Sequence, residues 1–296
     1  MESQQLGFLF AILTAICFAI PQVLVRRVTH QSGESFTALT VSMLVGTPIF
    51  VVLVSAFGEW YDFVNFTFKQ YALLAVAGVV HLIIARFLFF SSTRLIGANP
   101  TAAITRTSVI FSVVFGVVFL GESITGLQVF AAFLIMFGAI LTTMEINRNS
   151  FRISTRGFLM SLGTAVCSAG SATLIRPVME ETDAIYAVTF VMYLAGFIVL
   201  MIILLASDDY RHRVMKQDRQ SWLLLSAGGI FLVIGHLFRQ SALRLSPVSI
   251  VQPLVATIVL FVLLFSWIIN RRIDVFNWRV IAGIAMVLAG VVLIYV

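Results

Sequence analysis

The chain has 296 residues, of which 60% are hydrophobic and only 11% charged, against about 25% charged in a soluble domain. Thirty-two Lys, Arg, Asp and Glu side chains cannot cover a water-soluble globule of this length, so a soluble fold is excluded and a lipid bilayer becomes the expected partner. The net charge of +6 is accounted for by basic residues at the ends of membrane spans, which removes nucleic acid as a partner.

A membrane span needs about 20 mostly apolar residues, because the hydrocarbon layer is roughly 30 Å thick and a helix rises about 1.5 Å per residue. Ten stretches qualify in chain order: 6–25, 36–57, 70–90, 100–120, 127–144, 157–175, 184–206, 222–243, 248–269 and 278–296. They are continuously apolar rather than alternating, so an all-α polytopic membrane protein is expected and a strand barrel is not. The leader Met1 to Gln5 carries Glu2 and no Lys or Arg, and the first span is expected to be retained rather than cleaved as a signal.

The connections are short and their basic residues uneven. Arg26, Arg27, Arg94, Arg148, Arg152, Arg156, Arg211, Arg213, Lys216, Arg219, Arg271 and Arg272 follow the odd-numbered spans, whereas Lys69, Arg176 and Arg244 follow even ones. The positive-inside bias puts the first set in the cytoplasm and both termini outside, in a multi-pass plasma-membrane protein.

A shift of 150 residues superposes the chain on itself. Positions 7–28 match 157–178 at ten of 22 places, including Gly7, Thr14, Ala15, Cys17, Ala19 and Arg26. Positions 73–95 match 223–245 at nine of 23, and Thr107 meets Thr257. The two cysteines are therefore one position seen twice, which argues against a disulfide framework or a cysteine-rich metal site. The repeat defines two units, 1–145 and 156–296, of five spans each. An odd number of spans inverts the second unit, an arrangement typical of alternating-access transporters with a substrate site near the midplane. Gly7, Ala11, Ala15 and Ala19 form a small-residue stripe that Gly157, Ser161, Ala165 and Ala169 repeat, suited to close helix approach.

Few polar side chains interrupt the spans. By helical rise, Arg106 falls roughly 5 Å from the midplane, Arg86 roughly 8 Å and Arg239 roughly 10 Å. All 13 acidic residues lie in loops or at span ends, so no carboxylate is available there as a partner. A guanidinium in a cavity matches carboxylate or phosphate oxygens, which points to an anionic or zwitterionic small-molecule substrate such as an amino acid. Backbone carbonyl caps, a lipid phosphate for Arg239, and cavity hydration remain open alternatives. His236, Arg239 and Gln240 share one helix face, and His236 is the repeat mate of Arg86. A histidine such as His81 can carry a coupling proton or serve as a packing residue. Thr105 and Gln252 add hydrogen-bonding groups, and Pro21 and Pro253 adjoin Gln22 and Gln252 where freed carbonyls can face a cavity. These residues, Gln22, Arg86, Thr105, Arg106, His236, Arg239, Gln240 and Gln252, form the candidate substrate site.

No nucleotide loop and no protease or hydrolase motif occurs, so neither a cofactor nor an enzymatic activity is expected. Leu120-Gly121-Glu122, the small-residue pattern ending in Gly138, and the matching Gly283 and Gly290 resemble the EamA family of the drug/metabolite transporter superfamily. The resemblance spans the whole chain and implies ten helices in two inverted five-helix repeats. The chain departs from the family pattern at Arg271 and Arg272, at Ser108, and at Cys17-Phe18-Ala19. An exporter of neutral or hydrophobic compounds using a phenylalanine-rich cavity is the rival expectation, ahead of a channel.

Overall fold

In hydrocarbon a backbone N–H or C=O finds no water, so apolar runs of this length satisfy themselves as helices. The computed structural model describes residues 2–32, 35–143, 154–269 and 278–295. Among them ten helices correspond one to one with the expected spans: α1 (Glu2–Ser32), α2 (Ser35–Phe57), α3 (Phe68–Ile96), α4 (98–120), α5 (Gly126–Thr143), α6 (Thr155–Glu181), α7 (Ile185–Ala206), α8 (Arg219–Leu245), α9 (248–269) and α10 (Trp278–Tyr295). Eight are long and apolar enough by themselves to cross a bilayer, and α5 and α10 are shorter apolar helices.

Several helices overrun the hydrophobic windows. The sixth was expected to end at Ile175, yet α6 continues through Pro177 to Glu181. Its last turn carries an Arg176–Glu180 pair at 2.6 Å, which adds a few tenths of a kcal/mol to the turn that contains Pro177. Arg176, expected outside the spans, therefore sits on a helix. Its guanidinium donates to the carbonyls of Leu243 and of Ser246, the latter at 2.9 Å, and so caps the C-terminal end of α8. The loop 145–156 up to residue 153, Arg271 and Arg272 lie outside the described residues.

The halves pack on each other in antiparallel counterpart pairs. In α2 and α7, Phe57 stacks on Tyr186 with ring centroids 4.4 Å apart and Phe50 meets Tyr193 at 4.6 Å. In α5 and α10, a Cβ at Gly138 would lie 2.7 Å from the carbonyl oxygen of Gly283, and one at Gly290 would lie 2.8 Å from that of Ala131. In α4 and α9, Gly116 near the end of one faces Ser249 near the start of the other. Counterparts that run antiparallel are what inversion of the second half requires. The contacts of α1 with α8 and of α3 with α6 obey the same twofold relation. Gly7 of α1 packs beside Leu245 of α8 and the Ser246 that follows it, while Gly157 of α6 packs beside Leu95 and Ile96 of α3. The small-residue stripes are the surfaces used, with Ala11, Ala15, Ala19, Ser161, Ala165 and Ala169 all fully buried.

Three of the long helices are irregular inside the membrane. Residues Val79–Ile84 of α3 form a π-helical turn around His81. The ladder of α4 breaks at Arg106 and Thr107, and that of α9 at Thr257, the repeat mate of Thr107. Both threonines turn their hydroxyls back, Thr107 to the carbonyl of Ile104 at 2.7 Å and Thr257 to that of Leu254 at 2.6 Å. Such interruptions at membrane depth are tolerated where protein, rather than lipid, surrounds the freed backbone groups.

Candidate functional site

The π-turn of α3, the middle of α7 and the C-terminal half of α8 meet in one polar cluster. His236, Arg239 and Gln240 present the common face that their spacing implies and are buried at 1%, 1% and 0% exposure. His236 packs its ring against His81 at 5.6 Å, Tyr193 at 5.4 Å and Phe18 of α1 at 4.9 Å. Its Nδ1 lies 2.8 Å from the Leu232 carbonyl and 2.9 Å from the Tyr193 hydroxyl. Arg86 reaches across to α2, donating to Ser42 Oγ at 2.8 Å, and that hydroxyl in turn donates to the Leu39 carbonyl at 2.7 Å. Arg86 and Arg239 both lie within electrostatic reach of the two imidazoles.

Several polar atoms here are buried without a hydrogen-bond partner among the described residues: both terminal nitrogens of Arg239, His236 Nε2, His81 Nδ1 and Gln240 Oε1. The amide nitrogen of Gln240 has only the thioether of Met192, at 3.2 Å. No ion pair joins a carboxylate to Arg86, Arg106 or Arg239 among the described residues. Unpaired buried polar atoms of this kind are costly, and here two guanidinium donors lie beside an amide oxygen acceptor and two imidazole nitrogens.

The other residues singled out from the sequence divide. Arg106 stands at the break in α4 with its Nε buried and unpartnered, but no described contact links it to the cluster. Gln252, 6% exposed beside Pro253, likewise has an unpartnered Nε2. Thr105 turns its hydroxyl to the Ala102 carbonyl at 2.8 Å, so it serves its own helix. Gln22 is exposed.

Sequence reasoning missed Tyr193, Ser42 and Phe18. Tyr193 is one of two hydroxyl-bearing rings in its span, and nothing in its spacing sets it apart from Tyr186. It also missed how two carboxylates tie the halves together. Glu122 accepts from the backbone N–H groups of Val248 at 2.7 Å and Ser249 at 2.9 Å, capping α9, and Glu59 accepts from Ala187 at 2.7 Å in the first turn of α7. Both sit in loops of the first half and receive helices of the second, where the positive end of each helix dipole favours an anion. Burial raises the Glu59 carboxyl above its ordinary range, with a smaller contribution from the nearby charge of Asp62. Gly121, at φ 65°, ends α4 in the left-handed conformation that turns the chain and delivers Glu122 to α9.

An inverted pair of five-helix units with broken helices and a desolvated polar cluster between them is the architecture of a membrane transporter. The chain belongs to the EamA-like transporter family, which it matches over residues 5–144 and 155–296, and it is a multi-pass membrane protein. It is 29% identical over 150 residues to the "Uncharacterized transporter YcbK" of Bacillus subtilis (strain 168), a match covering 49% of this chain and 46% of that protein. The chain thus matches less than half the length of that relative. A solved crystal structure of another protein superposes with a TM-score of 0.76 over 99% of this chain and 95% of that one, at 16% identity, which speaks for the fold alone.

Proposed function

We propose that the protein is a secondary transporter that moves a small organic anion or zwitterion, such as an amino acid, across the plasma membrane by alternating access. The observation that carries this reading is the pair of unpartnered terminal nitrogens on Arg239, 1% exposed, with Arg86 and two imidazoles in electrostatic reach and no carboxylate paired to them. A guanidinium fork offers two parallel donors to one carboxylate or phosphate group. His236, Arg239 and Gln240 form the α8 wall of the site and Arg86 the α3 wall, while Arg106 and Gln252 flank the breaks of α4 and α9. Basic residues after the odd-numbered spans support cytoplasmic odd loops and external termini.

The test is uptake by purified protein in proteoliposomes of labelled glutamate, succinate, glycerol 3-phosphate and a lipophilic cation, with and without a pH gradient. Uptake of an anion that falls at least tenfold in Arg239→Gln supports the reading. Movement of the cation alone would refute it and favour the hydrophobic-compound exporter, for which Phe18, Phe50 and Tyr193 supply the aromatic wall.

A further inference from the structure

We infer that His236 is the carrier of a coupling proton, taken up on its Nε2 as an anion binds at Arg239 and released when the anion departs. This rests on the anion reading above and adds the role of the histidine within it. The argument starts from the other ring nitrogen. Nδ1 lies 2.8 Å from the Leu232 carbonyl, and a carbonyl only accepts, so Nδ1 carries the hydrogen. The Tyr193 hydroxyl, 2.9 Å from the same nitrogen, shares it. In the neutral ring Nε2 is then a bare lone pair, and it is buried with no partner among the described residues. Two bonds at the Nδ1 end and the rings of His81 and Phe18 against its faces and edges hold the imidazole in this sense.

A bare, desolvated acceptor one helical turn from an unpaired guanidinium has two stable occupancies. Without an anion, the fixed charges of Arg86 and Arg239 oppose a further positive charge, and Nε2 stays bare. With an oxyanion on Arg239, that repulsion is offset and Nε2 accepts a proton, becoming a second donor to the anion or its surroundings. The nitrogen lone pair becomes an N–H bond, the ring gains one positive charge, and a monoanion crosses with no net charge. The titratable and charged groups that bear on His236 are His81 and Arg86 from α3, Tyr193 from α7, Arg239 from its own helix, and the Cys17 thiol of α1 beside Gly235. None of them is a carboxylate that could hold the proton in its place.

The test uses proteoliposomes of the full chain with a trapped pH dye, the membrane potential clamped, and labelled glutamate, succinate and glycerol 3-phosphate as probes. Wild-type protein is expected to take up one proton per anion and to concentrate glutamate about tenfold per unit of inward acid gradient. In His236→Gln the proton-to-anion ratio is expected to fall close to zero, whatever happens to the rate. A wild-type ratio near zero, or an unchanged ratio in His236→Gln, overturns the proposal while leaving the anion reading standing. If wild type moves none of the three probes, the anion reading falls and this proposal with it. Should His236→Gln fail to fold, nitrogen-15 spectra of histidine-labelled wild type decide: on adding the transported probe, a ring with a protonated Nδ1 gains a proton on Nε2, and spectra that do not change refute the assignment.

Discussion

Replacing Arg239 by Met separates what the site costs from what it does. The side chain is 1% exposed and both terminal nitrogens lack partners among the described residues, and leaving buried donors unsatisfied costs about 1 to 3 kcal/mol, more for a charged group. Methionine keeps the unbranched stem and fills most of the same space without polar atoms. Arg239→Met is therefore expected to stabilise the protein by about 2 to 3 kcal/mol, which corresponds to a rise of about 5 °C in thermal midpoint for a chain of this size. The same change removes a charge-assisted interaction of about 1.5 to 3 kcal/mol with the bound anion, so transport should require an anion concentration higher by about ten- to a hundredfold. Thermal unfolding in detergent and concentration-dependent uptake in proteoliposomes read the two effects. A lower midpoint would show that the guanidinium holds the fold, and unchanged uptake would show that it does not touch the substrate; either result refutes the reasoning.

Glu122→Ala removes an acceptor shared by two backbone N–H groups and should cost about 3 kcal/mol, with Glu122→Gln intermediate, as measured by thermal midpoint. Glu59 has a carboxyl raised above its unfolded value, so the folded state holds its proton more tightly. The stability it contributes is full below the ordinary value of 4.5 and is lost as pH rises through the raised folded value. Unfolding measured across pH 4 to 7 should show that loss in wild type and lack it in Glu59→Gln. Gly138→Ala sets a methyl group against the Gly283 carbonyl oxygen, 2.7 Å away, and forces α5 and α10 apart at a cost of about 1 to 3 kcal/mol. A midpoint equal to that of wild type would contradict the crossing.

The sequence carried the fold because lipid reduces the problem to long apolar runs, and because the repeat survives as ten matches in 22 from Gly7 with Gly157 onward and as Thr107 with Thr257. The stripe Gly7, Ala11, Ala15, Ala19 was legible for the same reason: helix approach depends on side-chain size, which is local. The grouping of Arg86 with His236 and Arg239 was only half legible. Spacing puts His236, Arg239 and Gln240 on one face, but the crossing of α3 with α7 and α8 decides what that face meets. Tyr193 and Ser42 were not legible because each shares its span with other hydroxyls, Tyr186 and Thr189 in the one and Thr37, Thr40, Thr47 and Ser55 in the other, so nothing local marks it. Glu59 stood as a loop charge and Glu122 as part of the Leu120-Gly121-Glu122 motif, and what each holds was not legible because the partners are backbone N–H groups 126 to 128 residues away. The end of α6 was misplaced because the apolar window closes at Arg176, while the contacts that carry the helix on, Arg176 to the carbonyls of Leu243 and Ser246 and to Glu180, show only in the folded chain.

The central claim is that one buried cluster between inverted halves faces each side of the membrane in turn. Ser42→Cys, nearly isosteric and adjacent to Arg86, in a background with Cys17 and Cys167 replaced by Ala, places one thiol at that cluster. Sealed proteoliposomes of known orientation are then treated with a membrane-impermeant thiol reagent from outside or from inside, with and without glutamate. Labelling from both sides is expected, with the balance shifted by the transported anion. Labelling from one side only under every condition, or from neither, would contradict it.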